Sequence, residues 1–180
     1  MTYQEYAKKA AEEERLTRFL DAYNEVTGMR LTVVDSGERP DFLCAAPDAS
    51  TIGIELTRSP HDYEGKNHDK LWGDGTMDHH DLLAAIHDIV TTKSLKLKEA
   101  DWRTDKTILV VFLEDYTFDS YEWTKTAGIE SDFAECGFMQ IWLADCSTIK
   151  PFNAVRLIGL HPQDVWGLHE QPSLDGKPFG

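Results

Sequence analysis

In Ile52-Gly53-Ile54-Glu55-Leu56-Thr57 the apolar residues fall on every second position. This is the period of a β-strand, so Ile52, Ile54 and Leu56 share one face, and Gly53, Glu55 and Thr57 share the other. Glu55 is thus an acid in mid-strand facing away from its apolar neighbours, read either as one half of a metal site or, with Asp41 belonging to a turn, as solvated on an exposed sheet face. Just before it, Arg39-Pro40-Asp41-Phe42-Leu43-Cys44 reads as a second strand that Asp41 opens, and Pro47 to Ser50 read as the turn between the two. Antiparallel pairing of these strands brings the Asp41 and Glu55 carboxylates together. Two hard oxygen donors so placed suit Mg²⁺ or Mn²⁺.

Working outward, Leu31 to Val34 adds a third strand and completes an antiparallel meander. Before it, Leu16, Phe19, Leu20 and Tyr23 repeat at i, i+3, i+4 and i+7. They mark an amphipathic helix from Gln4 to Val26, with Gly28 placed to end it. Beyond Glu55, Arg58 to Asp78 reads as a long loop and His79 to Glu99 as a second helix. The run Ile108 to Leu113 is apolar throughout, as in a strand covered on both faces, and is expected at the centre of the sheet. Phe138 to Leu143 and Val155 to Leu160 read as further strands. The fold class expected is α/β, a mixed central sheet flanked by helices in the order α-β-β-β-α-β. Residues 1–180 are read as a single domain, with a core at about 12–160 and a C-terminal tail at 161–180.

The second helix carries the third candidate. Leu82, Leu83, Ile86, Ile89, Val90 and Leu97 form its apolar stripe, and Lys93 falls within it. A lysine on a core-facing stripe needs a carboxylate or an escape to water. The expectation here is that its ammonium reaches the Glu55 face of the sheet. Lys96, at the stripe's edge, and Lys98, opposite, read as solvated.

The order of Arg39-Pro40-Asp41-Phe42 and Gly53-Ile54-Glu55-Leu56-Thr57, after an acidic helix and before Ile108 to Leu113, resembles the PD-(D/E)xK nuclease superfamily over roughly Glu12 to Leu113. It is most similar to divergent members in which the last motif position is Thr and lysines recur on the next helix, here Ile89, Lys93 and Lys96. The resemblance implies a restriction-endonuclease-like core and phosphodiester hydrolysis of nucleic acid, DNA or RNA, by a Mg²⁺-dependent endonuclease or exonuclease. It implies that Asp41, Glu55 and the Leu56 carbonyl hold metal, and that Lys93 replaces the usual lysine, absent at Thr57, in orienting the nucleophile. An acid on the first helix assists the metal in that family. Helical spacing puts Glu12 nearest the apolar stripe, whereas Glu13 fits the family pattern better.

A net charge of −14 opposes binding to a polyphosphate, whose affinity for proteins comes largely from Lys and Arg. The alternative is therefore an inactive, acidic nuclease-like protein that binds or inhibits a basic partner as a nucleic-acid mimic. A protein partner or a second copy of the chain is compatible with either reading. Asp78-His79-His80-Asp81 spells a DHH phosphoesterase motif, and four His-Asp pairs, at His61, His68, His80 and His87, suggest HD phosphohydrolases. The first motif lacks its preceding buried strand, and the second family is all-helical. His79 to Asp81 are better read as polar groups starting a helix, while His61 and His68 are candidates for contact with substrate or metal. Trp72, Tyr121, Trp123 and Trp166 are candidates for base stacking, with packing the commoner use of such residues. Three cysteines without Cys-x-x-Cys spacing read as reduced, buried residues of a cytoplasmic protein. No apolar run is long enough to span a membrane.

Overall fold

The computed structural model describes residues 2–59, 79–99, 101–113, 133–146 and 155–169. Among these residues it is an α/β structure with a seven-stranded mixed sheet and two α-helices. Helix α1 (Tyr3–Thr27) is followed by β1 (Thr32–Ser36), β2 (Phe42–Ala45) and β3 (Thr51–Arg58). After α2 (His79–Glu99) come β4 (Thr107–Leu113), β5 (Gln140–Asp145), β6 (Arg156–His161), a 3₁₀ turn at Gln163–Val165, and β7 (Gly167–His169).

Both ends of α1 are set by local chemistry. The Thr2 hydroxyl accepts from the Glu5 N–H at 3.3 Å, and the Glu5 carboxylate accepts from the Thr2 N–H at 2.5 Å, a reciprocal cap on otherwise orphaned donors. At the far end Gly28 adopts φ +70°, and its N–H closes on the Asn24 carbonyl.

The strands lie side by side in chain order. β1, β2 and β3 form the antiparallel meander that the spacing predicts. β3, β4 and β5 run parallel, with α2 lying between β3 and β4 in the chain, and β6 and β7 return antiparallel. β4 is central and buried along its whole length, which is why its sequence is apolar without alternation.

Each face of the sheet has its own core. Leu16, Phe19, Leu20 and Tyr23 of α1 pack on Phe42, Ile52, Ile54, Ile108, Val110 and Trp142. Ile86 and Val90 of α2 pack on Leu109, Val111, Leu113, Ile141 and Leu143. Alternation along β3 and β4 divides these sets, and each large side chain so buried contributes about 1.5–3 kcal/mol. Glu55 falls on the α2 side.

Two expectations are corrected. Asp41 does not open β2 but immediately precedes it, its side chain being taken up by a backbone contact described below. Nor is the chain beyond residue 160 wholly a tail, since Leu157 pairs with His169 and Ile158 with Leu168. That strand is three residues long, too short for periodicity to register, and Gly167 at φ +119° supplies the backbone turn into it. Cys44 and Cys136 are buried as expected, whereas Cys146 is half-buried. No helix among the described residues is long and apolar enough to cross a membrane.

Candidate active site

β3 delivers Glu55 to the α2 side of the sheet, where it is 6% exposed. One oxygen, Oε1, accepts from the Lys93 ammonium at 2.6 Å. The other, Oε2, is buried with no hydrogen-bond partner among the described residues. Lys93 reaches Oε1 because α2 presents that position on the same stripe as Ile86 and Val90.

Pairing of Phe42 with Ile54 and Leu43 with Gly53 sets Asp41 beside the Glu55–Leu56 segment. The Asp41 Oδ2 accepts from the Leu56 N–H at 2.8 Å. Burial, then the Glu55 charge, push the Asp41 carboxyl up to about 6, while the Leu56 N–H and Lys93 pull it down and Glu12 adds a further upward push. The Glu55 charge is thus close enough to oppose the ionisation of Asp41.

Arg103, which sequence reasoning missed, holds this arrangement from outside. Its guanidinium donates to Asp35 at 2.6 Å and to the Pro40 carbonyl at 3.3 Å, and its N–H donates to the Arg39 carbonyl at 3.2 Å. The residues leading into Asp41 are therefore tied to the segment that precedes β4. Pro40 in turn sits over Gly53, where an added Cβ would lie 2.6 Å from the Pro40 Cγ. No local periodicity signals either contact, because each depends on a partner more than ten positions away.

Two clefts meet at Lys93. The first, of about 380 Å³, is lined by Lys8, Glu12 and Arg15 of α1 and by Asp41, Leu56, Thr57, Arg58, Lys93 and Phe112. It opens toward the carboxyl ends of β3 and β4, where open α/β sheets commonly bind ligands. The second, of about 550 Å³, is lined by Glu38, Arg39, Glu55, Lys93, Lys96, Glu99 and Trp102. Of the two acids left open on α1, Glu12 lines the first cleft, whereas Glu13 is exposed. Lys8 and Arg15 share that face at i−4 and i+3 from Glu12, a spacing legible in the sequence. Thr57, at the position of the missing lysine, is half-buried in the first cleft.

Among the described residues no group of three or more His, Cys, Asp or Glu side chains forms a ready metal cage. The available oxygen donors are Asp41, Glu55 and the Leu56 carbonyl, with Glu12 on the same cleft as Asp41. A buried carboxylate oxygen without a donor fits a cation, and a hard ion that keeps several waters needs only one or two carboxylates from the protein. His61, His68, Trp72, Asp78, Tyr121 and Trp123 lie outside the described residues. His79 begins α2, and Trp166 packs against the core on the α2 side. No family model matches the chain, and no curated protein or solved structure is similar to it at a significant level.

Proposed function

We propose that this protein is a metal-dependent hydrolase of phosphodiester bonds in nucleic acid, built on a restriction-endonuclease-like core. The observation that carries the reading is the buried Glu55 carboxylate, with one oxygen paired to Lys93 and the other without a donor among the described residues, beside Asp41 and next to the Lys93 that both clefts share. The order α-β-β-β-α-β, with an antiparallel meander followed by a parallel fourth strand, supports the fold assignment.

Asp41, Glu55 and the Leu56 carbonyl would hold Mg²⁺ or Mn²⁺, with Glu12 assisting. Such an ion, when bound, polarises the phosphate and lowers the pKa of its water. Lys93 has three N–H donors and spends one on Glu55. Those left over would orient the attacking water and take up charge on the phosphate oxygens as the water oxygen bonds to phosphorus and the scissile ester P–O bond breaks, the leaving oxygen taking up a proton to depart as an alcohol. Thr57, a neutral hydroxyl, supplies no such charge, so the site depends on the helix-borne ammonium.

The acidic-mimic reading has less support. Six of the chain's 18 Lys and Arg residues line the two clefts, against five of its 32 Asp and Glu, so the acidity is concentrated elsewhere. The test is a cleavage assay on labelled single- and double-stranded DNA and RNA with Mg²⁺ or Mn²⁺. Cleavage in the wild type, lost on chelation and in Glu55→Gln, is the expected result. Cleavage undiminished in Glu55→Gln removes this site from the chemistry.

A further inference from the structure

The second cleft differs from the first in what it offers a ligand. The first is lined by charged and aliphatic groups with Phe112, whose side chain is fully buried. The second contains the half-buried Trp102, a few residues beyond the end of α2, whose indole N–H donates to the Lys96 carbonyl at 3.2 Å. That bond fixes one edge of the ring at the wall of a cavity of about 550 Å³, within the range that encloses small organic ligands. Arg39 and Lys96 line it together with Glu38 and Glu99, and the buried Glu55–Lys93 pair also lines it. An aromatic face beside two cations and next to a reacting centre matches the surface that holds an unstacked base and its phosphates. A duplex keeps its bases stacked on one another and cannot offer one to the indole without paying for unpairing.

We propose that the two clefts form one groove for a single nucleic-acid strand crossing Lys93, with a base stacked on Trp102 and phosphates held by Arg39 and Lys96 on that side and by Arg15 and Arg58 on the other. The proposal deepens the hydrolase reading by naming its substrate class, and it rests on that reading for the position of the scissile bond. It also accounts for an acidic protein acting on a polyanion: six cations stand against five acids along the groove, which leaves it near neutral in a chain of net charge −14, and specificity for single strands comes from stacking more than from charge.

The experiment measures binding rather than turnover. Fluorescence anisotropy follows a labelled single-stranded oligonucleotide and a hairpin duplex on the full chain, with Ca²⁺ in place of Mg²⁺. A stacked base contributes about 1–3 kcal/mol, so Trp102→Leu is expected to weaken single-strand binding on the order of 10-fold. Trp102→Phe, which keeps an aromatic face but loses the bond to Lys96, should stay near wild type, and duplex binding should be weak and the same in all three. Unchanged single-strand affinity in Trp102→Leu overturns the proposal. So does an equal loss in the Leu and Phe variants, which would assign the effect to the indole N–H. Cleavage that requires Glu55 while binding ignores Trp102 overturns the groove alone. Binding that requires Trp102 without cleavage by the wild type overturns the hydrolase reading and leaves the groove standing.

Discussion

The Lys93 ammonium stands 2.6 Å from the Glu55 carboxylate across the space between α2 and β3, with side-chain exposures of 19% and 8%. Removing one member of a buried pair leaves the other charged and unsolvated, at a cost of about 3–5 kcal/mol, whereas replacing both with apolar groups is often neutral or stabilising. Lys93→Ala should therefore lower stability by about that amount in urea unfolding. The double variant Lys93→Met, Glu55→Leu should recover most of it while remaining inactive. A double variant as unstable as the single one would show that the pair does not account for the loss.

Asp41 gives the protein a pH dependence of definite sign. An unfolded Asp titrates at about 3.9, whereas folded Asp41 is raised to about 6, chiefly by burial and then by Glu55. Its contribution to stability is fully present below about pH 4 and is lost as pH rises through about 6. Asp41→Asn, which cannot ionise, should accordingly be more stable than wild type at about pH 7.5, by on the order of 1–3 kcal/mol. The difference should vanish near pH 4, and thermal unfolding at the two pH values checks it. A gain independent of pH would show that charge is not its source.

Gly53 lies under Pro40, with Thr104 and Thr107 close on either side. A Cβ there would meet the Pro40 Cγ at 2.6 Å and the Thr104 Cγ2 and Thr107 Oγ1 at 2.9 Å. Gly53→Ala should destabilise the fold by about 1–3 kcal/mol through overpacking. It should also reduce cleavage, because the residue that has to move immediately precedes Asp41. Chemical denaturation and turnover measured together test the coupling, and a fully active, destabilised variant would break it.

On the hydrolase reading, Arg103 acts as a positioning residue. Its pair with Asp35 is largely solvent-exposed on the acid's side, so its direct contribution to stability should be small, about 0–1 kcal/mol. Its hold on the Arg39–Pro40 carbonyls nevertheless sets where Asp41 lies. Arg103→Ala is expected to lower kcat by about 10-fold or more with little change in Tm, as misplacement of a catalytic group by an ångström does. A large fall in Tm with kcat unchanged in the folded fraction would assign Arg103 to the fold alone.

Cation binding can be read without turnover. If Asp41 and Glu55 hold Mg²⁺ or Mn²⁺, saturating metal should raise Tm by mass action, worth about 2.7 kcal/mol at a hundredfold excess over Kd. The shift should be lost in Glu55→Gln and kept in Glu13→Gln, whose side chain is exposed. An equal shift in wild type and Glu55→Gln would place the ion elsewhere.

The sequence by itself determined the elements and their faces. Period-two alternation from Ile52 to Thr57 put Glu55 opposite Ile54, the 3.6-residue stripe of α2 included Lys93, and the unbroken apolar run of β4 announced a central strand. These are short-range regularities, fixed by how a helix or strand projects successive side chains. The expected tail hid β7, whose three residues are too few to show a period. Only the tertiary structure decided which groups meet: that Lys93 bonds Glu55, that Leu56 donates to Asp41, that Glu12 and not Glu13 turns to the cleft, and that Arg103 ties the Asp41 segment to the approach to β4. Contacts between positions far apart in the chain depend on strand register and helix placement together, and no single segment of sequence encodes either.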